Sequence, residues 1–132
     1  MEKKTGWTKE NGWQFGIRRS VPLSLEEVWD FLFSSEGAVL WNKDIVDNYT
    51  TYRHLSHIRT KWQRDGWPNR AVLQMRVISH RDKTTIAFHI DKLVDESQRE
   101  EAGKYWQEIM MQLLQKLKDW PTLKVDTSKN IN

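Results

Sequence analysis

The sequence contains no cysteine. That removes disulfides, thiolate metal sites and cysteine nucleophiles together. Proline is scarce at three residues and glycine at six, too few for a collagen-like or linker-like chain. No apolar run approaches the ~18 residues of a membrane-spanning helix. The opening Met1-Glu2-Lys3-Lys4-Thr5-Gly6 lacks the apolar region of a secretory signal, and the expected location is the cytoplasm. A net charge of +3 is too small to demand a nucleic-acid partner. No Ser/His/Asp set, phosphate loop or H-E-x-x-H motif is present, so catalysis is not expected.

What the chain has instead is rings: eight Trp, four Phe and three Tyr. Each buries roughly 150–250 Å², so a chain that is 30% charged still closes a core. Its 132 residues suit one domain. We expect a flexible N-terminus over 1–12, a folded domain over 13–120 and a flexible tail over 121–132. Charge is segregated. Residues 21–52 carry a net −5 and residues 53–83 a net +6. That dipolar arrangement serves solubility and internal pairing, or a face for an acidic partner.

Trp13, Phe15 and Ile17 alternate with polar residues, the period of a half-buried strand that Pro22 ends. Ser24 precedes Glu27 by three, a capping box. Leu25, Val28, Trp29 and Leu32 then place one apolar stripe on a helix over 25–34. Glu36-Gly37 is expected to break it, with a turn or second helix reaching Trp41. Residues 42–48 read as loop and 49–55 as a strand. Three alternating strands follow, around Ile58–Trp62, Leu73–Val77 and Ile86–Ile90. A two-residue turn at Arg81-Asp82 sets Val77 opposite Ile86, Met75 opposite Phe88 and Gln74 opposite His89. A six-residue loop over 65–70 sets Trp62 opposite Leu73, Thr60 opposite Met75 and Arg59 opposite Arg76. One face of this meander is then apolar and the other polar. Finally, Asp95 or Ser97 caps a helix whose broad stripe runs from Ala102 through Tyr105, Trp106, Ile109, Met110, Leu113, Leu114 and Leu117 to Trp120, with Pro121 as its stop. The order gives an α+β fold: a curved antiparallel sheet packed on a long C-terminal helix, with one or two short helices after the first strand.

Trp13-Gln14-Phe15-Gly16-Ile17-Arg18-Arg19-Ser20-Val21-Pro22, then Glu27-Val28-Trp29 and Glu36-Gly37…Trp41, resemble the opening of START-like (helix-grip, SRPBCC) domains. The branch is that of the activator of heat-shock-protein-90 ATPase homologues. Ser56 to Trp62 resembles that branch's central strand, and Thr84 to His89 with the Glu100…Trp106 helix resembles its end. The likeness spans about 13–118. It implies a sheet gripping the last helix, often around a cavity. The family's glycine-rich hairpin has little room here, since fifteen residues separate Trp41 from His57. The resemblance therefore implies an opened cavity and an edge strand through which two copies could pair as a homodimer.

Two candidate surfaces follow. The inward rings and their neighbours, Trp13, Phe15, Trp29, Thr60, Trp62, Met75, Phe88, Tyr105, Trp106 and Met110, are candidates to line a pocket for a small apolar molecule. The indole N–H groups and Thr60 would serve as its polar handles; core packing is the competing explanation. Arg59, Lys61 and Arg76 share the polar face and are candidates to dock an acidic protein partner. Nucleic acid is disfavoured there, because no aromatic is interleaved. His54 and His57, three apart on a strand, point to opposite faces and are not expected to bind metal. No catalytic residue, metal or cofactor is assigned, and an enzyme on this fold is the minor alternative.

Overall fold

The computed structural model describes residues 6–10 and 12–131, the side chains of 121–131 excepted. Its elements are β1 (Trp7–Thr8), β2 (Gly12–Val21), α1 (Leu25–Leu32), α2 (Ser35–Trp41), β3 (Ile45–Arg53), β4 (His57–Trp62), β5 (Ala71–His80), β6 (Lys83–Leu93) and α3 (Glu96–Ile131). The strands form one antiparallel sheet in the order β1-β2-β6-β5-β4-β3. α1 and α3 pack on one face of it, and α2 packs against those two helices.

Local chemistry sets the element ends. Pro22 follows the last residue of β2. Ser24 caps α1 as a closed box, the Glu27 amide donating to its Oγ at 3.1 Å and its own amide donating to Glu27 Oε1 at 3.2 Å. The chain breaks at Phe33-Ser34 rather than at Glu36-Gly37, because Ser34 caps a new helix by accepting from the Gly37 amide at 3.2 Å. Trp41 then plugs the α1–α2 corner, fully buried, with Nε1 donating to Leu32 O at 2.7 Å. Asp95 caps α3, its Oδ1 accepting from the Gln98 amide at 2.7 Å. The expected stop at Pro121 is not observed, since the helical backbone runs on to Ile131. A proline forgoes one helical hydrogen bond, at about 3 kcal/mol, without forbidding the turns that follow. At the other end Trp7, expected in a loose segment, pairs with Trp13. Residues 1–5 and the tail side chains, also in the segments expected to be flexible, lie outside the described residues.

The register of β5 on β6 is the expected one, with Met75 opposite Phe88, Val77 opposite Ile86 and Gln74 opposite His89. The β4–β5 register is not. Ile58 faces Met75, Thr60 faces Leu73 and Trp62 faces Ala71. The loop holds eight residues, not six, and is tied by Gln63 Nε2 donating to Trp67 O at 2.7 Å. A shift of two residues leaves every side chain on its expected face, so the hydrophobic pattern does not register it. The observed pairing sets the bulky Trp62 beside the smallest neighbour in the row. It also separates Arg59 from Arg76, which face Gln74 and His57.

The core lies between the apolar sheet face and the helices. Ile58, Trp62, Leu73, Met75, Ile86, Phe88 and Ile90 meet Phe31 and Leu32 from α1 and Ala102, Trp106, Met110 and Leu113 from α3, all buried. The fifteen residues before His57 supply one strand, β3, which forms an edge. Its ladder is irregular between Val46 and Thr51, and Asp47 there has φ 64°.

Candidate functional site

The structure divides the predicted pocket residues. Trp62 is the hub of one ring cluster, with centroids 5.3 Å from Trp67 and 5.4 Å from both Tyr105 and Trp106, while Phe88 lies 4.7 Å from Trp106. Thr60, Trp62, Met75, Phe88, Trp106 and Met110 are each at most 2% exposed. Trp29 stands apart, packed on Phe33, Tyr52 and His54 from α1 and the β3–β4 corner. Trp13 and Phe15 are half-buried on β2, and the Phe15 ring lies against α3 at Gly103.

Within the first cluster three polar atoms, Thr60 Oγ1, Trp62 Nε1 and Trp106 Nε1, are buried without a hydrogen-bond partner. Such atoms cost about 1–3 kcal/mol each when left unsatisfied. The rim is polar. Arg64 lies over the Tyr105 ring at 4.5 Å and pairs with Glu101 at 3.3 Å and Asp44 at 3.9 Å. Trp67 Nε1 donates to the same Glu101 at 3.3 Å. Burial, helped by Asp44 and opposed by Arg64, pushes the Tyr105 hydroxyl above its ordinary pKa.

An open apolar hollow lies elsewhere, where the end of β2 parts from α3. It has a volume of about 470 Å³ and is lined by Ser20, Val21, Pro22, Leu23, Leu114, Leu117 and Lys118. That volume is in the range of small-molecule sites. Among the described residues Lys118, exposed, is its one charged lining residue. None of the predicted pocket residues lines it. Leu114 and Leu117 were visible as members of the α3 stripe. That Leu114 would be left partly uncovered was not, because it depends on how far β2 extends before Pro22 turns the chain.

The opposite sheet face carries the predicted docking residues. Because paired residues share a face, Arg18, Ala87, Arg76, His57 and Arg53 form one row across β2, β6, β5, β4 and β3. Arg59 and Lys61 stand beside that row on β4, both exposed. Partial burial first, then Arg76 and Arg53, lower the pKa of His57 below the usual histidine value. His57 and His54 do not share the expected strand: His54 lies in the β3–β4 turn, edge-on to Trp29 at 5.9 Å, while His57 begins β4. Among the described residues no group of three or more His, Asp or Glu is placed to hold a metal, and no helix is long and apolar enough to cross a membrane.

No family model matches the sequence, and no curated protein matches it. Solved structures do. CalU16 from Micromonospora echinospora superposes with a TM-score of 0.68 at 13% identity, over 89% of this chain and 84% of that one. DynU16, of the dynemicin biosynthetic locus, gives a TM-score of 0.69 at 13% identity over 80% of this chain. This chain spans 47% of the DynU16 chain. The Aha1 dimer from Colwellia psychrerythraea gives 0.60 at 11% identity, over 76% and 92% of the two chains. Identities this low speak for architecture alone. With the six-stranded open sheet and the long last helix, they establish that this chain has the START-like, SRPBCC-type helix-grip fold.

Proposed function

We propose that the domain binds a small, mostly apolar molecule between the sheet and α3, without transforming it. The observation that carries this reading is the hollow between Val21–Leu23 and Leu114–Lys118. It is apolar over most of its lining and open to solvent on one side of an otherwise closed core. The single ammonium at its rim favours a ligand with an anionic or carbonyl end and an apolar body. Among the described residues Lys118 is also the one titratable side chain in the lining, with no paired acid and base there. The cysteine-free composition fits action in the reducing cytoplasm.

A second placement is favoured by the three unpartnered atoms at Thr60, Trp62 and Trp106. A ligand there would enter past Trp67 and meet those groups with an acceptor. The two placements separate by mutation. With decanoate as the probe, we expect saturable changes in Trp fluorescence and a rise in Tm. Leu114→Trp, which fills the hollow, is expected to abolish both, and Lys118→Gln to weaken binding about tenfold, roughly 1.4 kcal/mol. Thr60→Val is expected to leave decanoate binding unchanged. Loss with Thr60→Val and not with Leu114→Trp would move the site inward. A broad panel of apolar acids and aromatic ketones that leaves Tm and fluorescence unmoved would overturn the ligand reading altogether.

A further inference from the structure

We propose that the outer face of the sheet, opposite the hollow, is a docking surface for an acidic protein partner, gripped through the Arg18–Arg76–Arg53 row.

The row crosses five strands in register. Strands lie about 4.8 Å apart, so a guanidinium recurs about every 10 Å across the face. Arg59 and Lys61 add two exposed charges beside it. Among the described residues none of these five cations pairs with a carboxylate. Arg64 and Arg70, basic residues just off the face, pair with Glu101, Asp44 and Asp47. Those three carboxylates serve the sheet margin; on the face itself Asp91 stands buried in the neighbouring row Lys61–Val72–Asp91, and the Arg18–Arg76–Arg53 row carries charge of one sign. Like charges placed side by side across strands repel. His57, in the row, has its pKa lowered by burial first and by Arg76 and Arg53 after it. No described helix covers this face, since α1 and α3 pack on the other side and α2 packs against them.

The chemistry of the face selects among polyanions. No Trp, Tyr or Phe occupies a paired position on it, so it offers no stacking platform for single-stranded nucleic acid. Its exposed large aliphatic is Ile78, too little apolar surface to anchor in a bilayer. The planar forks of arginine, three in line, match carboxylates bidentately. Because this face and the hollow lie on opposite sides of the sheet, the two proposals fail independently.

The probe is fluorescein-labelled poly-L-glutamate of about fifteen residues, titrated with the full chain and read by anisotropy. Its affinity is expected to fall at least tenfold when salt is raised from about 50 to about 300 mM. Reversal at the row (Arg18→Glu, Arg53→Glu, Arg76→Glu) is expected to weaken binding at least tenfold. Reversal of three exposed lysines off the face (Lys43→Glu, Lys104→Glu, Lys116→Glu), which changes net charge equally, should cost less than twofold. If the row reversal does not fold, Arg→Gln at the same positions should still weaken binding at least threefold. Three results would overturn the proposal. One is equal losses in both triple variants. Another is tighter binding to a DNA duplex, or to vesicles containing about 30% phosphatidylserine, than to polyglutamate. The third is absence of binding at low salt.

Discussion

Gly37 shows how one hydrogen atom holds a corner of the molecule. It lies in the first turn of α2, and a methyl group built there would overlap the carbonyl oxygen of Phe31. That oxygen already accepts from the Ser34 hydroxyl at 2.6 Å and the Ser34 amide at 3.1 Å, so the backbone has little freedom to retreat. We expect Gly37→Ala to cost about 2 kcal/mol despite alanine's better helix propensity. The midpoint of thermal unfolding should drop by about 5 °C or more. An unchanged or raised Tm would show that the α1–α2 corner moves freely. The sequence marked Gly37 as a helix breaker. Its role is instead close approach, which becomes visible only when the two helices are placed.

At the scale of elements, α3 depends on its start. Asp95 accepts the Gln98 amide. Gln98 Oε1 in turn accepts from the Val94 amide at 3.1 Å and Asn69 Nδ2 at 3.2 Å, and Gln98 Nε2 returns a bond to Asn69 Oδ1 at 2.7 Å. One cap therefore joins the helix to the β4–β5 loop. Asp95→Ala is expected to lower stability by about 1–2 kcal/mol, and hydrogen exchange should quicken in both the first turn of α3 and the loop. Exchange confined to the helix would mean the amide pair is held without the cap. Both candidates for this cap were legible, as were the α3 stripe, the capping box of α1 and the face of every strand in the meander. The β4–β5 register was not, because pairings two residues apart bury the same set. The hollow was not, because it arises where two well-read elements diverge.

For the molecule as a whole, the sheet is a partition. One side is nearly dry and ring-rich, and the other is wet and basic. Both margins are blunted rather than closed. Among the described residues β1 pairs with β2 at Gly12 and Trp13, and β3 departs from regular pairing between Val46 and Thr51. Self-pairing through β3, the assembly that an open edge invites, would work with the regular run Thr51–Arg53, which ends on the charge of Arg53. The predicted ring positions are largely buried, and none of them lines the hollow beside Val21 and Leu114. Large side chains that converge on one face fill their own space, so a cavity is marked by where rings stop.

The indoles of Trp67 and Trp106 lie 5.3 and 5.4 Å from that of Trp62 and are steeply inclined to it, at 77° and 61°. Chromophores so close and so turned share their excited states, and their coupled transitions are chiral. The near-ultraviolet circular dichroism should therefore show a strong couplet. Trp106→Phe should remove the Trp62–Trp106 share of it, leaving the Trp62–Trp67 share and the far-ultraviolet spectrum intact, and an unchanged near-ultraviolet spectrum would place the coupling elsewhere. The contact between sheet and last helix thus comes with its own optical gauge, sensitive to any shift of one layer over the other before secondary structure changes at all.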